Sequence, residues 1–201
     1  MVERIHLIGN SSILLGSGLG EEIDSCPVVR INNAPTSGYE EDVGERTDAR
    51  VICGNLQMGS DAEWLSSLSG ETLILYPTQD EVRKNAQRLA SDDNSLRYLR
   101  DRSLKAWAKF LDESPLEGNP TSGLYGAWFL SNMAKQVHLY GFGFFESKGS
   151  HHYWEDMRID HSQEGDNSHE PQVEKGMLNR MNKVVLEMNT PSHNQKMKIE
   201  R

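Results

Sequence analysis

A chain of 201 residues with 36% hydrophobic residues can bury one sizeable core, and its composition suggests a single domain. With 21 Lys and Arg against 30 Asp and Glu, a net charge of -9, it has no dense basic stretch, which excludes a nucleic-acid binder that works by neutralising phosphates. No run approaches the ~20 apolar residues of a membrane helix, Met1-Val2-Glu3-Arg4 lacks the plan of a signal peptide, and Cys26 and Cys53 have no zinc-ligand spacing, so a soluble chain without a structural metal is expected.

Ile5 to Ile8 is a short apolar run halted by Gly9-Asn10, and Val28-Val29-Arg30-Ile31 and Val51-Ile52-Cys53 repeat the pattern. These predict buried strands. Thr72 to Tyr76, closed by Pro77, makes a fourth, and Val137 to Tyr140, closed by Gly141, a fifth. Asp80 to Leu89, Leu104 to Leu111 and Leu124 to Ala134 carry apolar residues at three-to-four spacing and predict helices, the last running straight into the fifth strand. A final helix is expected from Pro171, because proline suits the first turn, with Val173, Met177, Met181, Val184 or Val185, and Met188 as one apolar stripe. The methionines are core, not a ligand set. The alternation predicts an α/β fold with a mainly parallel sheet. One domain over residues 1–190 and a frayed polar tail over 191–201 follow.

Two stretches invite a chemical reading. Ile5 to Ser12 and the glycine-rich Gly16-Ser17-Gly18-Leu19-Gly20 form a strand-to-helix turn that could present N–H groups to a phosphate. Any Rossmann-like first turn has that look, and the GxGxxG spacing is not met, so the plain structural reading is preferred there. The missing fingerprint also argues against an oxidoreductase. Gly143 to His169 holds few aliphatic residues but four His, with aromatics and acids, and reads as a functional loop. Thr121-Ser122-Gly123 precede Leu124, so a hydroxyl can cap that helix while its first N–H groups face a ligand oxygen. Capping alone would explain the hydroxyls, and both readings stay open.

Larger blocks are more specific. Glu22-Ile23-Asp24-Ser25, Val29 to Thr36 and Gly38 to Gly44 with Thr47 come first. Pro120-Thr121-Ser122-Gly123 then leads through a helix to Val137-His138-Leu139-Tyr140-Gly141-Phe142-Gly143, followed by His152-Tyr153-Trp154-Glu155, and His169 with Glu174. In that order they resemble the large, small, third and very small motifs of the animal-type sialyltransferases, glycosyltransferase family 29. The resemblance covers Ile5 to Glu174; residues 55 to 118 match only in general character, and the chain is shorter than most family members, which suggests a trimmed acceptor region.

The resemblance implies a Rossmann-like, GT-A-type single-domain variant with helices flanking the sheet. It implies an inverting transfer of sialic acid from CMP-sialic acid to a galactoside hydroxyl, with a nucleotide-sugar donor and a glycan acceptor as partners and no cofactor. Asn10, Ser11, Asn32, Thr121, Ser122, Gly123 and Gly143 would hold the cytidine monophosphate. His169 would be the general base, a role that suits an imidazole with an ordinary pKa of about 6.5. His152 would face the departing phosphate, with His151 as second choice. Glu174 could steer His169 or only favour the first turn of its helix. His161, near Glu164, ranks below His169 because it lacks the His-x4-Glu spacing. Tyr153 and Trp154 are expected as scaffold, and Arg30 and Asp42 as a structural ion pair or as loop caps. No metal is expected, because a monophosphate leaving group develops less charge than a diphosphate and no Asp-x-Asp follows a strand.

Some positions depart from the family. Its usual cysteine pair falls on Ile5 and Ala134, which, with no membrane anchor, suggests folding in a reducing cytoplasm and a bacterial or viral origin; a Golgi lumen would fit only a truncated chain. Asn119 and Ser150 stand where aromatics are usual. His151 to Glu155 looks most like the branch that sialylates the 3-hydroxyl of galactose. Two alternatives remain: a family member using another CMP-activated acidic sugar such as Kdo, and a nucleotide- or glycan-binding homologue without turnover, against which the retention of His152 and His169 speaks.

Overall fold

The computed structural model describes residues 1–52, 72–75, 97–99, 104–144, 152–155 and 169–187. Cys53, His151, His161, Met188, the helix expected over 80–89 and the C-terminal tail lie outside them. The strands are β1 (Val2–Ile8), β2 (Val28–Ile31), β3 (Ala49–Ile52), β4 (Thr72–Leu75), β5 (Arg97–Leu99), β6 (Ala134–Tyr140) and β7 (Val184–Leu186). The helices are α1 (Gly20–Asp24), α2 (Glu40–Val43), α3 (Leu104–Asp112), α4 (Ser122–Ser131) and α5 (Pro171–Arg180).

The strands form one seven-stranded sheet in the order β5-β4-β3-β2-β1-β6-β7, and every pairing in it is parallel. Parallel strands need crossovers, so helices cover both faces and the strands become near-continuous apolar runs. Ile5, Leu7, Val51, Val137 and Leu139 pack with Trp107 of α3, Tyr125 and Trp128 of α4, and Met177 and Leu178 of α5. On the other face Ile8, Val28 and Tyr140 pack with Leu14, Ile23, Val43 and Tyr153. β1 lies between β2 and β6, so the chain grows outwards through β5 and then returns to the opposite side of β1. Such a reversal leaves a crevice at the C-terminal ends of β1 and β6, where α/β sheets bind ligands.

The expected fold class holds, with two corrections. The apolar stripe that was read as one long final helix is broken: α5 stops at Arg180, Asn182-Lys183 make a turn, and Val184-Val185-Leu186 pair with Val137–Leu139 as an edge strand. Two adjacent valines favour an extended backbone, and spacing of three to four residues cannot by itself exclude it. α4 begins at Ser122 rather than Leu124, because Thr121 is its N-cap, and it ends at Ser131, because Ala134 already belongs to β6. Among the described residues no helix is long and apolar enough to cross a membrane.

Candidate active site

The end of β1 is stitched to the end of β6 and to Tyr153 by its backbone. Gly9 N–H donates to the Tyr140 carbonyl at 2.7 Å and Ser11 N–H to that of Gly141 at 3.2 Å, while the Asn10 carbonyl accepts from Tyr153 N–H at 2.9 Å. A side chain at Gly9 is excluded: a Cβ there would sit 2.5 Å from the Gly141 carbonyl oxygen. Gly143 comes so close to Ser11 that a Cβ would lie 2.3 Å from its Oγ, and Gly123 packs on the ring of Phe142, 2.8 Å from where its Cβ would be. Asn10, Ser11, Gly123 and Gly143 are thus joined through the ends of β1, β6 and the start of α4. Asn10 Nδ2 donates to the Ile31 carbonyl at 3.2 Å, yet its Oδ1 is buried without a partner among the described residues. A buried acceptor left so is costly unless a ligand donor meets it.

Asn32, just past β2, has φ 52°, a left-handed conformation that asparagine tolerates better than most residues. Its turn is braced from β3. The largely buried Arg50 donates from Nη1 to the carbonyls of Asn32 at 2.7 Å and Asn33 at 2.8 Å.

At the start of α4, Thr121 Oγ1 accepts from Leu124 N–H at 3.1 Å and donates to Glu174 Oε2 at 2.5 Å, while Thr121 N–H donates to Glu174 Oε1 at 2.7 Å. Glu174 therefore does more than favour its own helix's first turn: its carboxylate, 3% exposed, fastens α5 to the cap of α4. Burial raises its pKa above the ordinary carboxylate value, and the Thr121 hydroxyl and amide oppose the rise. Ser122 and Gly123 supply the first amides of the helix, which have no carbonyl one turn back to bond.

His169 stands beside this junction. Its Nδ1 lies 2.6 Å from the Asn119 carbonyl, and a carbonyl can only accept, so Nδ1 carries the hydrogen. In the neutral ring the lone pair is then on Nε2. The neighbouring Glu170 places Oε2 2.6 Å from the amides of both Glu117 and Gly118.

On the far arm, His152 Nδ1 is 2.5 Å from Glu155 Oε1, and the ring stacks on Trp154 at 4.6 Å between centroids and 13° between planes. Glu155 is placed to balance the ring's charge whenever Nε2 takes a second proton. Tyr153 is scaffold, as expected. It is buried, donates from its hydroxyl to the Pro35 carbonyl at 2.5 Å, and burial pushes its pKa up to about 12.

The glycine-rich first turn is occupied by the protein's own anion, because Asp42 accepts from Gly16 N–H at 2.8 Å and Gly18 N–H at 2.9 Å. Arg30 donates to carbonyls of Val43 and Gly44 at 2.9 and 3.1 Å, and to Thr47 Oγ1 at 3.0 Å. Of the two expectations for Arg30 and Asp42, loop capping describes these bonds. Sequence reasoning did not single out Arg50, Glu155 or Glu170; the only signal was adjacency, Glu170 to His169 and Glu155 within the His152 block.

Residues 3–185 match the sequence profile described as glycosyltransferase family 29 (sialyltransferase). The CMP-N-acetylneuraminate-beta-galactosamide-alpha-2,3-sialyltransferase 2 of Mus musculus is 30% identical over 175 residues, 77% of this chain and 47% of the relative. The corresponding sialyltransferase 1 of Homo sapiens is 33% identical over 176 residues, 76% of this chain and 48% of the relative. The chain thus spans about half the length of these curated relatives. In fold it is similar to a crystal structure of a mammalian sialyltransferase, with TM-score 0.64, 22% identity and coverage of 92% of this chain and 69% of that one. It is also similar to the sialyltransferase CstII from Campylobacter jejuni, solved with the substrate analogue cytidine-5'-monophosphate, with TM-score 0.59, 16% identity and coverage of 92% and 79%.

Proposed function

The chain belongs to glycosyltransferase family 29, and from that premise we propose that it transfers sialic acid from CMP-sialic acid to the 3-hydroxyl of a galactoside, with inversion and without a metal. The observation that carries this reading is the His169 ring, held at Nδ1 by the Asn119 carbonyl so that its basic nitrogen is Nε2. His169 Nε2 takes the proton of the acceptor hydroxyl as that oxygen bonds to the anomeric carbon. The bond from that carbon to the phosphate oxygen breaks on the opposite side, its electron pair leaves with cytidine monophosphate, and configuration inverts.

The nucleotide is held by Asn10, Ser11, Asn32 and Gly143 together with Thr121, Ser122 and Gly123. The unpartnered Asn10 Oδ1 supports this, as it needs a donor such as a sugar hydroxyl or a base amino group. The opening amides of α4 suit a phosphate oxygen. His152, oriented by Glu155 and Trp154, meets the charge that develops on the departing phosphate, with His151 as the second choice for that role. A leaving monophosphate makes a cation dispensable. Ile5 and Ala134, buried apolar residues where the family's paired cysteines stand, support folding in a reducing compartment.

His169→Ala is expected to abolish transfer to lactose, read as release of cytidine monophosphate, while calorimetric binding of cytidine monophosphate stays near native. Transfer by the variant at the native rate would overturn the base assignment. EDTA is expected to leave activity unchanged, and strict dependence on added manganese would contradict the metal-free mechanism.

A further inference from the structure

Glu170 occupies the N-cap position of α5, where Ser, Thr, Asp or Asn is preferred, and its side chain makes no capping bond to its own helix. Its carboxylate is turned instead to the neighbouring loop, where one oxygen takes the consecutive amides of Glu117 and Gly118, both at 2.6 Å. A residue that gives up a local bond for a distant one marks a place where something other than helix stability decides. The next residue in that loop is Asn119, whose carbonyl receives Nδ1–H of His169.

We propose that Glu170 is a positioning residue for the His169 imidazole: it fixes the Asn119 carbonyl and thereby selects the tautomer whose basic nitrogen is Nε2. The inference rests on the reading of His169 as the general base. Residues 115–121 contain no helix or strand, so no ladder holds the Asn119 carbonyl in place. Two carboxylates do so instead. Glu170 grips the amides immediately before Asn119, and Glu174 grips the amide and hydroxyl of Thr121 two residues after it. Between them, Pro120 restricts the backbone of Asn119 to extended conformations. The carbonyl is thus a fixed acceptor. Because Glu170 follows His169 directly in the chain, the histidine and the anchor of its acceptor move together. Without that anchor the loop shifts, Nδ1–H loses its partner, and the neutral ring exchanges between tautomers; in the other one Nε2 carries the hydrogen and cannot accept the acceptor's proton.

The test is imidazole nitrogen NMR on the full chain with labelled histidine, with the His169 signals assigned by their loss in His169→Ala. In the native protein at neutral pH, Nδ1 is expected to show a protonated-type shift and Nε2 a pyridine-type shift. In Glu170→Ala both are expected to move to intermediate values, with kcat reduced about 10- to 100-fold, as small misplacements of a reacting group do, and donor KM little changed. Glu170→Gln, which keeps an acceptor oxygen, is expected to retain the native tautomer and most of the rate. Native binding of cytidine monophosphate by Glu170→Ala will confirm that the variant is folded. An unchanged His169 tautomer in Glu170→Ala would overturn the inference. A shifted tautomer with undiminished transfer would support the positioning and overturn the base assignment instead.

Discussion

At the scale of single residues, Glu174 has a role that its spacing from His169 suggested only in part. The His-x4-Glu pattern put an acid five residues beyond the histidine, and its carboxylate is bound to Thr121, the N-cap of another helix. No sequence pattern links residues that far apart, so the partner could not be read from the chain. Glu174→Ala leaves the Thr121 amide without its acceptor and is expected to cost about 1–3 kcal/mol in denaturant unfolding. Glu174→Gln is expected to cost much less, because an amide oxygen can take the Thr121 N–H while the amide nitrogen donates to Thr121 Oγ1. The pH dependence has a definite sign. Burial raises the Glu174 pKa above 4.5 in the folded chain, so the native state holds the proton more tightly than the unfolded state. That contribution is fully present below the unfolded pKa and is lost as pH rises through the folded one. The stability of the native protein relative to Glu174→Gln is therefore expected to fall with rising pH across that window, and unfolding curves at several pH values check it.

At the scale of elements, legibility followed burial. β1, β2, β3, β4 and β6 were visible because each is an interior strand of the sheet and carries a run of apolar residues. β5 and β7 were not: they are the two edges of the sheet, three residues each, and β7 shares its apolar residues with the stripe of the preceding helix. Among the candidate site residues, the motif blocks contain Asn32, Thr121 to Gly123, Gly143 and His169, and the resemblance added Asn10, while the close packing at Gly9, Gly123 and Gly143 comes from contacts that only the fold supplies. Gly9 and Gly143 make the distinction testable. A Cβ at Gly9 meets the backbone of Gly141, which cannot move without breaking the splice between β1 and β6, so Gly9→Ala is expected to destabilise by about 1–3 kcal/mol. A Cβ at Gly143 meets a side chain rather than backbone, that of Ser11, whose Oγ accepts from Ile13 N–H at 3.4 Å, so Gly143→Ala is expected to displace Ser11 and to weaken cytidine monophosphate binding more than it weakens the fold. Thermal unfolding and calorimetric titration of both variants separate these outcomes.

For the molecule as a whole, strand order accounts for the location of the candidate site. The reversal between β1 and β6 puts the ends of β1, β2 and β6 and the N-terminus of α4 at one end of the sheet, where α/β folds bind ligands. α5 then brings His169 to the same end through the Glu170 and Glu174 bonds. The chain spans about half the length of the curated relatives it matches. The most direct measurement is a crystal structure with cytidine monophosphate and lactose bound. The nucleotide is predicted to lie against Asn10, Asn32 and the first amides of α4, with His169 Nε2 within hydrogen-bonding distance of the galactose 3-hydroxyl. A nucleotide seated elsewhere, or a His169 ring on the opposite side of the sheet from it, would contradict the mechanism.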